Sequence, residues 1–341
     1  MTTGESEPIH ADPAQEAAAS GLTPVEAAPD LASEALARPI SFDARYGEGK
    51  KRTLVLGGGG IYFVAWQVAY LNGLIKRGVQ LDQAEIIVGT SAGSITASIL
   101  SFGGLKRFGK QVDWISRVPS LVGLLAPAAN FHPSQVRALE MFRGADNSRP
   151  ETIQAIGHAA LAAHTPTAAE MRRSTSFAIA ARGWPGSNLA ISTVDCYTGE
   201  RLVITKDAGV SAIRAATASS AVPGVFSPQP IHDRRCMDGG VSGTGTHCDV
   251  VAGSEKALVI SLGAAVKPEV SGMTIAVDSL DYEIAELAKQ GTKAYTRGPS
   301  KMDLSRLMDP TAVPEALALG EEQAANDCVE LAAFWNIPTS S

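Results

Sequence analysis

The sequence GTSAG at residues 89–93 has the spacing G-x-S-x-G and could carry a nucleophile. A short apolar run precedes it and a helical pattern follows it, so the turn joins a strand to a helix. In such a sharp turn, larger side chains at the positions of Gly89 and Gly93 would collide with neighbouring backbone. The turn therefore predicts a strained Ser91 whose hydroxyl projects above the sheet edge. The helix N-terminus that follows would favour a developing oxyanion there.

A run of four glycines at residues 57–60 lies between an apolar strand pattern and a buried helix pattern. Glycines allow backbone N–H groups to approach a tetrahedral oxyanion, which a nucleophilic serine requires. A nucleotide phosphate site is the competing interpretation. The G-x-G-x-x-G pattern fails, because its last position falls on Tyr62 or Phe63, and no G-x-x-x-x-G-K-[ST] sequence occurs.

The serine also needs a base, and the sequence offers two. Asp238 stands directly before Gly239 and Gly240, which would bring backbone close and free the carboxylate to face a pocket. His247 follows later and satisfies the chain order of a Ser-Asp-His triad. His247 is also followed by Cys248 and Asp249, but no second cluster of ligands accompanies them, so we predict no metal site.

Together these motifs resemble the three-part signature of the patatin-like phospholipases: a glycine triplet, G-x-S-x-G about 30 residues later and D-G-G. The resemblance covers about residues 50–265. It implies hydrolysis of lipid acyl esters by a Ser-Asp dyad and an acyl-enzyme, without a cofactor or metal. By position, Ser91 is the nucleophile and Asp238 the base. The backbone N–H groups of Gly58, Gly59 and Gly60 would form the oxyanion hole.

Two adjacent positions depart from the family pattern. Family members usually carry Arg or Lys two residues after the glycine triplet and then Gly, whereas this chain has Tyr62 and Phe63. Phospholipase A, lysophospholipase and neutral acyl-ester lipase activities all stay open, and the absence of that cation adds weight to a neutral acyl ester, an acylglycerol or a thioester. Two alternatives stay open: a lipid-binding relative without turnover, and a serine esterase that uses His247 in a triad.

The order of elements predicts the fold class. Strand, turn and helix alternate from residue 52, which is typical of an α/β protein with a parallel sheet. The resemblance implies a three-layer α/β/α sandwich with a mostly parallel central sheet. We expect a disordered leader at residues 1–48, a catalytic domain at 49–265 and a helical extension at 266–341 packed on that domain. We also expect strands at residues 176–182, 189–194 and 201–204.

Composition restricts the partners. With 29 basic and 35 acidic residues among 341, the net charge of −6 argues against nucleic acid as a partner. The expected partner is a lipid or another acyl ester. The first ten residues lack the pattern of a secretory signal and none of the four cysteines forms a C-x-x-C pair, so we expect a cytoplasmic protein. Transient contact with a membrane surface stays open, with Trp114 and residues 118–125 as an apolar rim.

Overall fold

Within residues 36–116, 131–265 and 278–336, which this computed structural model describes, eight strands form one sheet. The strands are β1 (Arg52–Leu56), β2 (Ile86–Gly89), β3 (Leu189–Asp195), β4 (Arg201–Ile204), β5 (Gln229–Ile231), β6 (Arg234–Asp238), β7 (Lys256–Ile260) and β8 (Lys293–Arg297). The helices are α1 (Gly60–Lys76), α2 (Ala92–Ser101), α3 (Leu105–Ser116), α4 (Pro133–Arg143), α5 (Pro150–Ala162), α6 (Ala168–Ile179), α7 (Ala212–Ser219), α8 (Ser279–Lys289) and α9 (Val313–Trp335).

The centre of the sheet is parallel. β1 pairs with β2 and β7, β2 also pairs with β3, and β7 also pairs with β8, all in parallel. β4 and β6 join β3 antiparallel, and β5 forms an antiparallel hairpin with β6. The predicted α/β class with a mostly parallel sheet is confirmed.

Both faces of this sheet are covered. Along β1, Leu54 and Leu56 enter one apolar cluster, whereas Val55 between them enters another. The first cluster is shared with α1, α2, α3, α7 and α9, and the second with α8 and residues 248–252. Because neighbouring side chains of a strand point to opposite faces, helices on each side produce the expected three-layer sandwich.

The register around β3 brings two strand ends together. Ile191 pairs with Gly89 of β2 on one edge and with β4 on the other. Two residues further on, Thr193 pairs with Asp238 of β6 and again with β4. β4 pairs with the same side of β3 in both cases. β2 and β6 therefore both lie on the other side of β3, where the end of β2 meets the end of β6. The fold thereby places the turn after Gly89 beside Asp238.

Three regions differ from the sequence-based expectations. The strand predicted at residues 176–182 is wrong, since residues 176–179 form the end of helix α6. A short apolar run is compatible with either a helix or a strand, so the sequence alone could not distinguish them. The C-terminal region contributes the parallel edge strand β8 in addition to its helices. From Leu36, before the expected boundary at residue 48, the chain packs on the sheet: Leu36 and Phe42 are buried and the Gly47 N–H donates to Ala252 O.

Candidate active site

Ser91 lies in the predicted sharp turn between β2 and α2. Its backbone has φ 51° and ψ −121°, a left-handed conformation that is unusual for a non-glycine residue. Both turn glycines are sterically required. An ideal Cβ on Gly93 would lie 1.9 Å from Leu56 O, and one on Gly89 would lie 2.6 Å from the Cα of Ser94. The strain and the tight packing are those expected of a turn that displays a nucleophile.

Hydroxyl groups from two helices hold the Ser91 backbone. Ser219 Oγ accepts a hydrogen bond from the Ser91 N–H at 2.8 Å. The Ser91 carbonyl accepts from Ser94 Oγ at 2.6 Å and from Ser220 Oγ at 3.1 Å. Neither Ser219 nor Ser220 could be assigned a role from the sequence, because only the fold brings the end of α7 against this turn.

Asp238, the predicted base, lies at the end of β6 and is 4% exposed. The Gly240 N–H donates to its Oδ1 at 2.9 Å, whereas Oδ2 is buried without a hydrogen-bond partner among the described residues. The Ser91 hydroxyl is close enough to favour the charged carboxylate. We read the Ser91–Asp238 contact as longer than a full hydrogen bond, as is common for a nucleophile and base without substrate.

Burial dominates the electrostatics of this carboxyl. It raises the pKa of Asp238 to about 6, and the interactions with Ser91 and the Gly240 N–H oppose it by favouring the charged form. No cation contributes to the shift. A carboxylate with a pKa close to neutral is better matched to accept a proton from a hydroxyl than one at the ordinary value of 3.8.

The glycine loop lies beside Ser91 at the end of β1. An ideal Cβ on Gly58 would be 3.1 Å from the Ser91 Cβ, which is tighter than an ordinary Cβ contact. The Gly58 N–H donates to Gly245 O at 3.1 Å, so it already has an acceptor. The Gly59 N–H has no acceptor among the described residues, and Gly60 begins helix α1. Of the three predicted donors, Gly59 and Gly60 are therefore the better placed to bind an oxyanion.

His247, the alternative base, is fully buried and engaged elsewhere. Its Nδ1 lies 3.2 Å from Arg201 Nη1, and its Nε2 lies 3.2 Å from Gly239 O. Arg201 forms a buried two-point ion pair with Asp249 at 2.6 and 2.7 Å. The structure thus places His247 behind the loop that carries Asp238.

A second buried acid fastens the same loop. Glu283 on α8 accepts hydrogen bonds from the Thr246 hydroxyl and, at 3.1 Å, from the Cys248 N–H. Burial raises the pKa of Glu283 to about 6. Across the described parts of the chain, no group of three or more His, Cys, Asp or Glu side chains is arranged to hold a metal ion.

This chain was compared with models of protein families and with solved structures. The family model described as patatin-like phospholipase matches residues 54–247, more than half of the chain. Among solved structures, VipD from Legionella pneumophila is 13% identical with a TM-score of 0.38, over 84% of this chain and 67% of VipD. ExoU in its complex with SpcU from Pseudomonas aeruginosa is 17% identical with a TM-score of 0.29, over 82% of this chain and 52% of ExoU.

This chain therefore spans about half the length of ExoU. Structural similarities this remote indicate neither the substrate nor the mechanism of this chain. A comparison with the curated proteins finds no match. The family match includes the glycine loop, the serine turn and Asp238, and on this basis the chain belongs to the patatin-like phospholipase family of lipid acyl hydrolases.

Proposed function

We propose that this protein hydrolyses carboxylic esters of lipids with Ser91 as nucleophile and Asp238 as its base. The observation that carries the proposal is the unpartnered Oδ2 of buried Asp238 beside the strained Ser91. A buried carboxylate oxygen without a partner costs the fold free energy, and such groups concentrate at functional sites. Its pKa of about 6 keeps it largely ionised at neutral pH and able to take a proton.

The reaction proceeds through an acyl-enzyme. Asp238 takes the Ser91 hydroxyl proton while Oγ forms a bond to the ester carbonyl carbon, and the Gly59 and Gly60 N–H groups stabilise the oxyanion. Collapse of this intermediate breaks the ester C–O bond, and the leaving alkoxide receives the proton from Asp238. Asp238 then deprotonates a water that attacks the acyl carbon, and Ser91 Oγ regains a proton as it leaves. No cofactor takes part in these steps.

The charges near Tyr62 favour a substrate without a charged head group. Tyr62 occupies the position where the family pattern has a cation, and its ring is buried. The nearby guanidinium of Arg306 is paired with two acids, Asp309 at 3.1 Å and Glu315 at 2.7 Å. The Arg306 guanidinium is therefore already compensated and offers no free positive charge for a phosphate. We propose acylglycerols or other neutral acyl esters as the preferred class, with phospholipids as weaker substrates.

We also propose that the enzyme meets lipid aggregates through the outer face of α3. Trp114 is 61% exposed there, and Lys110 and Lys106 are exposed four and eight residues before it. A Cβ on Gly109 would contact Val68 and Asn72, so α3 packs against the middle of α1, the helix that begins at the glycine loop. An indole ring flanked by lysines suits the interface of an anionic membrane. The cytoplasmic location stays a prediction.

The direct test is labelling of the purified protein with a fluorophosphonate probe. We expect labelling of wild type at Ser91, none in Ser91→Ala and at least a hundredfold slower labelling in Asp238→Asn. Ser101→Ala is the matched control, because Ser101 lies at the far end of α2 and its hydroxyl has no hydrogen-bond partner among the described residues. Absence of labelling in wild type, together with binding of fatty acid, would instead favour the lipid binder without turnover.

A further inference from the structure

Residues 298–312, here called the connector, lie against the proposed oxyanion loop. The connector joins β8 to α9 and falls outside the part of the chain that the family model matches. Its Leu307 carbonyl accepts a hydrogen bond from the Tyr62 N–H at 3.1 Å. The Tyr62 hydroxyl also donates to Lys301 O at 3.4 Å. The first turn of α1 is therefore bonded to a segment about 240 residues further along the chain.

Gly60 is where the connector approaches most closely. Its φ of 67° is left-handed, and an ideal Cβ would lie 2.6 Å from Leu307 O and 2.7 Å from the Met308 sulfur. These distances leave no space for a side chain. The connector thus packs directly on the backbone of a residue whose N–H is a proposed oxyanion donor.

The connector is itself fixed by α9. Gln323 Nε2 donates to Gly298 O at 3.1 Å, and Gln323 Oε1 accepts from the Ser300 N–H at 2.9 Å. The same oxygen accepts from Trp66 Nε1 of α1, also at 2.9 Å. One side chain therefore ties the start of the connector to both helices. Further along the connector, the Leu307 side chain is buried in the apolar cluster, which keeps its carbonyl beside the loop.

We propose that the connector is a positioning element of the oxyanion hole, with Leu307 and Gln323 as its positioning residues. This inference rests on the proposed function. The Leu307 carbonyl engages the Tyr62 N–H and so orients the first turn of α1, which leaves the preceding Gly59 and Gly60 N–H groups directed at the reaction centre. Oxyanion donors act only within about 2.7–3.1 Å of the developing charge, so a small rotation of the turn weakens them.

The test compares two buried leucines. Leu307 and Leu105 are both 5% exposed and belong to the same apolar cluster, but Leu105 begins α3 and is not among the residues nearest to Gly58, Gly59 or Gly60. We expect Leu307→Ala to slow acylation by a p-nitrophenyl ester about tenfold with KM within twofold, and Leu307→Met to restore the rate. Leu105→Ala should lose similar thermal stability and keep the wild-type rate. Equal rates in the two alanine variants, or a change confined to KM, would overturn the proposal.

Amide hydrogen exchange gives a readout that needs no catalysis. We expect faster exchange over residues 59–62, above all at the Tyr62 amide that Leu307 O accepts from, in Leu307→Ala and in Gln323→Ala, and no change there in Leu105→Ala. If Leu307→Ala does not fold, Gln323→Ala carries the same test from outside the core. Unchanged exchange at these amides in both variants would refute the positioning role. A wild-type enzyme that the phosphonate never labels would refute the proposed function separately and leave the exchange result standing.

Discussion

Arg201 Nη1 lies 3.2 Å from His247 Nδ1, and this contact determines the protonation of the ring. An arginine side chain only donates hydrogen bonds, so Nδ1 must accept and the ring proton must sit on Nε2. Nε2 then donates to Gly239 O at 3.2 Å. Burial and the Arg201 charge both lower the pKa of His247 well below its usual value. The ring is therefore a neutral support for the residue after Asp238, with no lone pair available for Ser91.

Replacement of His247 by Gln separates the dyad from the triad. A glutamine amide can donate to Gly239 O as the imidazole does, so we expect kcat within about tenfold of wild type. A triad requires a loss of several orders of magnitude. Steady-state kinetics decide between them, and urea unfolding serves as the control. His247→Ala is less informative, because the loss of the buried hydrogen bonds to Arg201 and Gly239 O should itself destabilise the fold by about 1–3 kcal/mol.

The rate should depend on pH through Asp238. Its pKa is raised to about 6 by burial, and only the ionised carboxylate can accept the Ser91 proton. We expect kcat/KM for a soluble ester to rise as pH increases through about 6 and then to reach a plateau. A pH–rate profile on the free enzyme measures this. A midpoint near 4 would mean that Asp238 is not buried during turnover or is not the base.

The same pKa predicts that Asp238→Asn stabilises the protein. A folded-state pKa of about 6 against 3.8 means that the folded chain binds this proton more tightly. The resulting stabilisation is present below about pH 4 and lost as pH rises through about 6. Roughly two pKa units set an upper limit of about 3 kcal/mol at pH 8. We expect Asp238→Asn to exceed wild type by about 1–3 kcal/mol at pH 8 and to match it near pH 4.

Asp249→Asn is the matched control for that experiment. Asp249 is also a fully buried aspartate, but it pairs with Arg201 at 2.6 Å. Removal of one partner from a buried ion pair typically costs about 3–5 kcal/mol. Denaturant unfolding of the two variants should therefore give changes of opposite sign at pH 8. Two destabilised variants would show that Asp238 has a stabilising partner in solution.

Substitutions on the outer face of α3 test whether the protein contacts membranes there. We expect Trp114→Ala and Lys110→Glu to reduce hydrolysis of esters in anionic vesicles, with each lysine near the surface worth about 1 kcal/mol, or roughly fivefold in binding. Hydrolysis of a short soluble ester should not change. Tyr282→Ala is the control, because Tyr282 is 60% exposed on α8, across the sheet. Equal losses on vesicles for Trp114→Ala and Tyr282→Ala would exclude a specific surface.

Local sequence patterns were sufficient to predict the strands that lead into the glycine loop and the serine turn, and the strand β7 beside them. β1, β2 and β7 are parallel strands buried on both faces, so each is a continuous apolar run next to its turn glycines. β8 lies at the sheet edge and is only partly buried, and its sequence KAYTR carries no such signal. Its absence from the predicted elements follows from that composition.

Contacts between distant parts of the chain could not be predicted in this way. Arg201 and Asp249 are 48 residues apart, and neither stands in a motif. The bond from Tyr62 to Leu307 crosses most of the chain. Motifs therefore indicated which residues could react, whereas the residues that hold them in place became visible only in the fold.

The packed segment before β1 limits how far the protein can be shortened. Arg201 Nε donates to Arg38 O at 3.0 Å and Nη2 donates to Pro39 O at 2.9 Å, while the Ser41 N–H reaches Asp249 at 3.3 Å. A protein trimmed to begin at residue 49 would lose only residues 1–48, which the sequence predicts to be a disordered leader. It would nevertheless open the Arg201–Asp249 pair to water and loosen His247 and the loop behind Asp238. Expression trials should therefore keep the chain from Leu36 onward.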